Sequence, residues 1–513
     1  MTLNLQPKVK YALAGTFLWL SLLSWVFASP SGSSPDEFYH VGSSWCVHGE
    51  SDTCKYTSFS TTNYVKWAEV PYSMDLCFVP TESISASCGE NQHPETQPLP
   101  VASDSNLYPK IYYYFANSLL RFAGDTGIHL VRIANSLILI FCLFFALLLS
   151  NRKLRAAVIT AFFILAVPQG QFIIASFNPS SWAFTGLSLN WVFFYNLITL
   201  NTTNSQFRKW GSVGLFAFTL TLASARFDSL VYAIILNLLI FSFCFDFKKR
   251  FLVPIILLLS SLAAFGFFYA NSMIRHVRGN LSYLLAIPEF WGFTRYWLIH
   301  FIEIPLTSLG LNYGTYGPTG VITPPVVGHI QFGFLAVALT YSALNCTLKQ
   351  FALGGAVSLL LFLVILQQNS IFGETGFYMV QGRYFLPLIV GAAGIFVTLS
   401  KSQIQFVQVK SIRTVVIVLL STSNLLAFFV FVRRYSTGYD NDYRRFEMDI
   451  FKNFGLPTGW QYFDFLNPPA LILTGSISYF VFTALFLQFS DDYEVATTES
   501  NPETAEELDY SLS

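Results

Sequence analysis

The sequence predicts an all-α polytopic membrane protein of about twelve transmembrane helices, with one long outer loop braced by disulfides. Three observations carry this reading. The 513 residues are 53% hydrophobic and only 11% charged. A soluble globule carries about 25% charge, so this chain cannot build a polar coat and lipid is its natural solvent. Apolar runs of the ~20 residues needed to cross a bilayer recur along the chain, and Lys and Arg collect in alternate short connections between them. The net charge is zero, and with no long basic run nucleic acid is excluded as a partner.

The first apolar run, from Tyr11 to Pro30, follows Lys8 and Lys10. Its length suits a full span and no small-x-small pattern ends it, so it reads as a retained helix and not a cleaved leader. Residues 1–29 are then the cytoplasmic N-terminus and first span. Further spans are expected at 128–149, 156–176, 181–199, 211–225, 229–246, 251–271, 326–344, 351–367, 384–400, 414–432 and 470–488, so that 128–488 forms the multi-span domain. Cationic clusters at 152–155, 208–209, 248–250 and 401–413 fall on one side of this arrangement. The positive-inside rule makes that side cytoplasmic, places both termini there, and makes the protein a multi-pass component of the plasma membrane. Residues 489–513 are acidic, lack apolar periodicity and are expected to be a disordered cytoplasmic tail.

The loop at 30–127 is then extracytoplasmic. It holds an Asp-Glu motif and four of the seven cysteines: Cys46, Cys54, Cys77 and Cys88. An even number on the oxidising side suggests two disulfides, with three pairings open. The intervals between them contain no CxxC, which argues against a zinc site.

No GxxxxGK[ST] and no GxGxxG after a strand appears, so a cytoplasmic nucleotide is not the visible energy or group donor. Ionisable groups at the expected outer ends of spans call for explanation, since each costs several kcal/mol inside a bilayer. They are Asp36, Glu37 and His40 in SSPDEFYH, Arg132, the Arg226/Asp228 pair in ARFDS, and Arg383 in QGRYFLPLI. A carboxylate just outside a membrane suits a general base for a hydroxyl acceptor. Guanidinium forks at the leaflet boundary suit a lipid-borne phosphate. Asp36 is the expected base, with Glu37 and His40 tuning it; a divalent metal is the cofactor these three would take. Arg132, Arg226 and Arg383 are expected to hold phosphate, with Asn178, Asp228, Gln381 and Tyr384 lining the cavity.

SSPDEFYH resembles the acidic segment after the first span in a mostly actinobacterial family of predicted multi-span proteins, catalogued as a domain of unknown function and grouped with the GT-C superfamily of integral-membrane glycosyltransferases. LYPKIYYYFANSLLR, HLVRIANSL with Arg132, SFNPSSWA with Asn178, QGRYFLPL with Gln381, Arg383 and Tyr384, and FLNPPALIL resemble further elements of that family in order along the chain. Thr323, in GVITPPVV, stands where the family often has an aspartate. The resemblance implies a GT-C-like fold. It implies transfer of a sugar from a polyprenyl-phosphate donor to an envelope glycan, glycolipid or protein on the outer face, with an acidic base in the first outer loop. Two other functions compete: a transporter or flippase of lipid-linked saccharide, which would need charge through the midplane, and a non-catalytic envelope assembly protein docking through the cysteine loop.

Overall fold

The computed structural model of the chain describes residues 7–52, 54–60, 65–71, 74, 77–78, 83–89, 97–102, 108–123, 126–199, 206–244, 255, 259, 261, 321, 323–344, 346–348, 351–352, 355–356, 386–399, 410–438 and 467–488. The expected spans at 251–271 and 351–367, the tail at 489–513, and Gln381, Arg383 and Tyr384 lie wholly or mostly outside these residues.

The chain opens with α1 (Pro7–Ala28) and the short α2 (Glu37–Trp45). Three strands follow: β1 (Tyr56–Ser60), β2 (Val65–Val70) and β3 (Gln97–Ala102). Helix α3 (Lys110–Ala123) then leads into the bundle: α4 (Gly127–Leu149), α5 (Arg152–Leu165), α6 (Pro168–Ile174), α7 (Pro179–Thr199), α8 (Gln206–Ala223) and α9 (Phe227–Cys244). Four later helices complete the described part: α10 (Pro325–Leu344), α11 (Leu386–Leu399), α12 (Lys410–Thr437) and α13 (Pro468–Gln488). Among the described residues, six helices (α1, α4, α9, α10, α12 and α13) are long and apolar enough to cross a membrane, or seven spans if α5 and α6 count as one.

Proline sets many of these boundaries. Pro7, Pro168, Pro179, Pro325 and Pro468 each open a helix, where the missing N–H costs nothing and the fixed φ is already helical. Pro168 also breaks the span expected at 156–176. α5 and α6 meet at 87°. The backbone exposed at the break is satisfied internally, as lipid demands: Ala166 O accepts from Gln171 Nε2 at 2.9 Å and from the Tyr479 hydroxyl at 3.2 Å. Gln171 also bonds Asn424 Oδ1 (2.7 Å) and accepts from Ser21 Oγ (3.0 Å), joining α6 to α12 and α1.

Small residues let the helices close. A Cβ at Gly186 of α7 would collide with the Thr219 carbonyl and Ala223 backbone of α8. Asn190 donates to Thr219 Oγ1 (3.0 Å) and accepts from Asn237 Nδ2 (2.7 Å), pinning α7, α8 and α9 together. Trp25 of α1 packs against Phe172, Phe428 and Phe431 with centroids 4.7–6.2 Å away.

The loop after α1 adds a small sheet to the expected all-α architecture. β1, β2 and β3 form an antiparallel sheet in that order. β3 carries Pro98 and Pro100 and sits at the edge, the place in a sheet that tolerates a missing donor. Gly42 of α2 lies against the Pro100 carbonyl, too close for a side chain. The disulfides are Cys46–Cys54 and Cys77–Cys88. Arg434 of α12 donates to Ile84 O (2.8 Å) and Phe78 O (2.9 Å), so a membrane helix holds the segment bridged by the second disulfide.

Candidate functional site

The segment SSPDEF leaves α1 and turns into α2, and its two acids part company there. Glu37 is wholly buried. Arg132, also wholly buried, meets it through Nε (3.0 Å to Oε1) and Nη2 (2.8 Å to Oε1, 2.7 Å to Oε2). Glu37 Oε2 accepts from the Gly32 N–H (2.8 Å) and the Ser34 N–H (3.4 Å) as well. Gly32 sits at φ +91°, which lets the chain curl around the carboxylate. The remaining guanidinium hydrogens go to Ser29 O (2.5 Å), Val26 O (3.4 Å) and Pro30 O (3.0 Å). Both partners are satisfied, so this is a clasp that fixes the end of α1 to α4. It corrects two expectations. Arg132 is sealed from a phosphate, and Glu37 is turned inward and occupied. Among the described residues no set of three His, Cys, Asp or Glu is arranged to hold a metal.

Asp36, one residue earlier, is exposed. It begins α2 in the left-handed conformation, φ 56° and ψ 19°, and its carboxylate does not cap the helix. No other described non-glycine residue has positive φ. A normal N-cap is extended and spends its oxygen on the first turn; here the carboxylate is directed elsewhere.

A hydrogen-bonded path joins this turn to Arg226. Asn178 Nδ2 donates to Pro35 O (2.8 Å), Asn178 Oδ1 accepts from Ser180 N–H (2.8 Å), and Ser180 Oγ accepts from Arg226 Nη1 (3.2 Å). Arg226 pairs with Asp228 through Nε (3.0 Å) and Nη2 (2.8 Å), and both side chains keep slight exposure, 14% and 11%. Its guanidinium lies 5.6 Å over the Tyr108 ring.

A second path runs through rings. His40, one turn after Asp36, is buried, its ring edge-on to Tyr108 at 5.2 Å, and its Nδ1 lies 3.0 Å from the Tyr113 hydroxyl. Burial, reinforced by Tyr108 and Tyr39 and opposed by Arg226, holds the Tyr113 phenol well above its usual range. Tyr113 therefore keeps its proton, and its hydroxyl shares a hydrogen bond with Nδ1 whose donor is set by the His40 tautomer. Tyr112 beside it is likewise pushed up by burial. Asn135 donates to the Tyr112 hydroxyl (3.4 Å) and to Ser176 O (2.9 Å), and accepts from Trp182 Nε1 (3.1 Å), wedging α3 against α4 and α7.

The structure thus gathers Asp36, His40, Asn178, Arg226 and Asp228 at one end of the bundle, with Glu37 and Arg132 locked beneath. Sequence reasoning did not single out Tyr108, Tyr113 or Ser180. Their signal was their position: two lie within the LYPKIYYY run and one follows Asn178 by two residues.

The family model described as Predicted membrane protein (DUF2142) matches residues 18–392, from the middle of α1 into α11. The chain belongs to that family. This DUF2142 match spans every described residue of the gathered site. Comparison with curated proteins and with solved structures returns no match. For this DUF2142 protein the membrane assignment therefore rests on the family and on the apolar helices, and its chemistry on the site itself.

Proposed function

We propose that this DUF2142 protein is an integral-membrane glycosyltransferase of GT-C type, moving a sugar from a polyprenyl-phosphate donor to a hydroxyl of an envelope glycan, glycolipid or protein. The observation that carries the reading is Asp36: an exposed carboxylate, in an uncommon backbone conformation, seated on a clasp buried in the bundle. An αL residue outside glycine is uncommon and clusters at functional turns. The Glu37–Arg132 clasp and the Asn178–Pro35 bond hold that turn from either side.

In this mechanism Asp36 accepts the acceptor's hydroxyl proton as its oxygen bonds the anomeric carbon. The anomeric C–O bond to phosphate breaks, and polyprenyl phosphate leaves with the electron pair. Arg226, aligned by Asp228, faces the phosphate; Arg383, outside the described residues, is the proposed second cation. His40, buried against Tyr113, tunes Asp36 from within the turn. Glu37 and Arg132 act by positioning the turn.

The site faces outward in this reading. Arg155, within the cationic cluster at 152–155, lies against Tyr11 near the start of α1, at the end of the bundle opposite Asp36. Excess cation at that end supports a cytoplasmic assignment for it and for both termini, in the plasma membrane.

The test uses full-length protein in vesicles with a radiolabelled polyprenyl-phosphate sugar. Asp36→Asn is expected to lower transfer by at least ~100-fold, the usual contribution of a general base, without changing the melting temperature. Transfer at the wild-type rate would remove Asp36 from the chemistry.

A further inference from the structure

A second feature lies at the opposite end of the bundle and plays no part in the chemistry above. Helices α1, α4 and α13 enclose an open groove of about 320 Å³. Tyr11, Gly15 and Trp19 line it from α1, Leu137 to Leu147 from α4, and Phe486 from α13. The lining is mostly aromatic and aliphatic, and the Thr16 hydroxyl within it is spent on Ala12 O (3.0 Å). Leu137 and Leu147 stand ten residues apart on one helix, which at 1.5 Å per residue is about 15 Å. That is half of the ~30 Å hydrocarbon core, the depth of one leaflet. The groove therefore has the length of one lipid chain and runs from a membrane boundary towards the midplane.

Its boundary end is cationic. Arg155 donates to Leu147 O (3.2 Å) and Ser150 O (3.1 Å), which orients the guanidinium at the end of α4. The same guanidinium lies 5.6 Å over the ring of Tyr11, a residue of the groove wall. Lys153 stands two residues earlier, partly buried. A lipid whose chain fills the groove would bring its phosphate to this point.

We infer that the groove binds one anionic phospholipid, an acyl chain between α1, α4 and α13 and the phosphate at Arg155. Charge complementarity selects an anionic over a zwitterionic headgroup, and the single-leaflet length selects an acyl chain over a longer isoprenoid.

Native mass spectrometry of delipidated full-length protein in detergent tests this, with phosphatidylglycerol and phosphatidylcholine of identical chains as probes. One phosphatidylglycerol should be retained about fivefold more tightly than phosphatidylcholine, the increment one basic side chain contributes toward an anionic lipid. Arg155→Gln should abolish that preference. Gly15→Leu should weaken retention of both lipids, because the Gly15 Cβ position meets Ile140 at an ordinary 3.6 Å and the added atoms would fill the groove. Equal retention of the two lipids by the wild type, a preference that survives Arg155→Gln, or undiminished binding to Gly15→Leu would each overturn the inference. If Arg155→Gln does not fold, the wild-type comparison and Gly15→Leu decide.

Discussion

At the scale of single residues, the adjacent acids Asp36 and Glu37 illustrate how little separates chemistry from architecture. Asp36 stands before α2 in a left-handed backbone conformation while Glu37 opens the helix, and that turn divides solvent from core. Glu37 and Arg132 are a buried pair, and removing one partner of such a pair leaves the other uncompensated at a cost of about 3–5 kcal/mol. Glu37→Gln is therefore expected to lower the melting temperature of purified protein sharply, and Asp36→Asn to leave it unchanged. A Glu37→Gln protein that melts with the wild type would show that the clasp does not support the fold. The acidic motif was legible in the sequence. Which acid faces water was not, because SSPDEFYH alone does not reveal that Arg132, 95 positions away, claims the second one.

Elements obeyed local chemistry wherever local chemistry was strong. Prolines mark helix starts, and the four loop cysteines bridge in two pairs of near neighbours. The sheet escaped notice for a local reason: β3 reads QPLPVA, and its two prolines suppress a strand signal that the edge position allows. The bend between α5 and α6 escaped because hydropathy sums composition and ignores direction. Close helix approach is equally invisible. Gly186 has no sequence neighbour that demands glycine, yet α8 leaves its Cβ no room. Gly186→Leu is expected to cost at least the ~1–3 kcal/mol of overpacking, read as lost folded yield on size-exclusion chromatography. A monodisperse Gly186→Leu protein with wild-type melting would contradict the packing of α7 on α8.

For the whole molecule, sidedness is the property on which the proposed chemistry depends. If the site faces outward, a membrane-impermeant reductant added to intact cells should open Cys46–Cys54 and Cys77–Cys88 to an impermeant thiol tag. Labelling that requires permeabilised cells would place the acidic turn in the cytoplasm and end the case for a lipid-linked donor on the outer face. The two ends of the bundle have opposite characters: an acid, an arginine and edge-on aromatic rings at one, an oriented cation beside an apolar groove at the other.

The sequence by itself determined that this chain is a membrane protein of many apolar helices, because scarcity of charge and ~20-residue hydrophobic runs are facts of composition. It also located the acidic turn and the cationic clusters, which are local. Tertiary structure alone decided that Glu37 and Arg132 form a buried clasp, that Asn178 and Ser180 link Asp36's turn to Arg226, and that Tyr113 orients His40. Those are contacts between groups 46 to 143 residues apart. In a bilayer, where no water can substitute for a missing partner, such pairings are set by which helices meet.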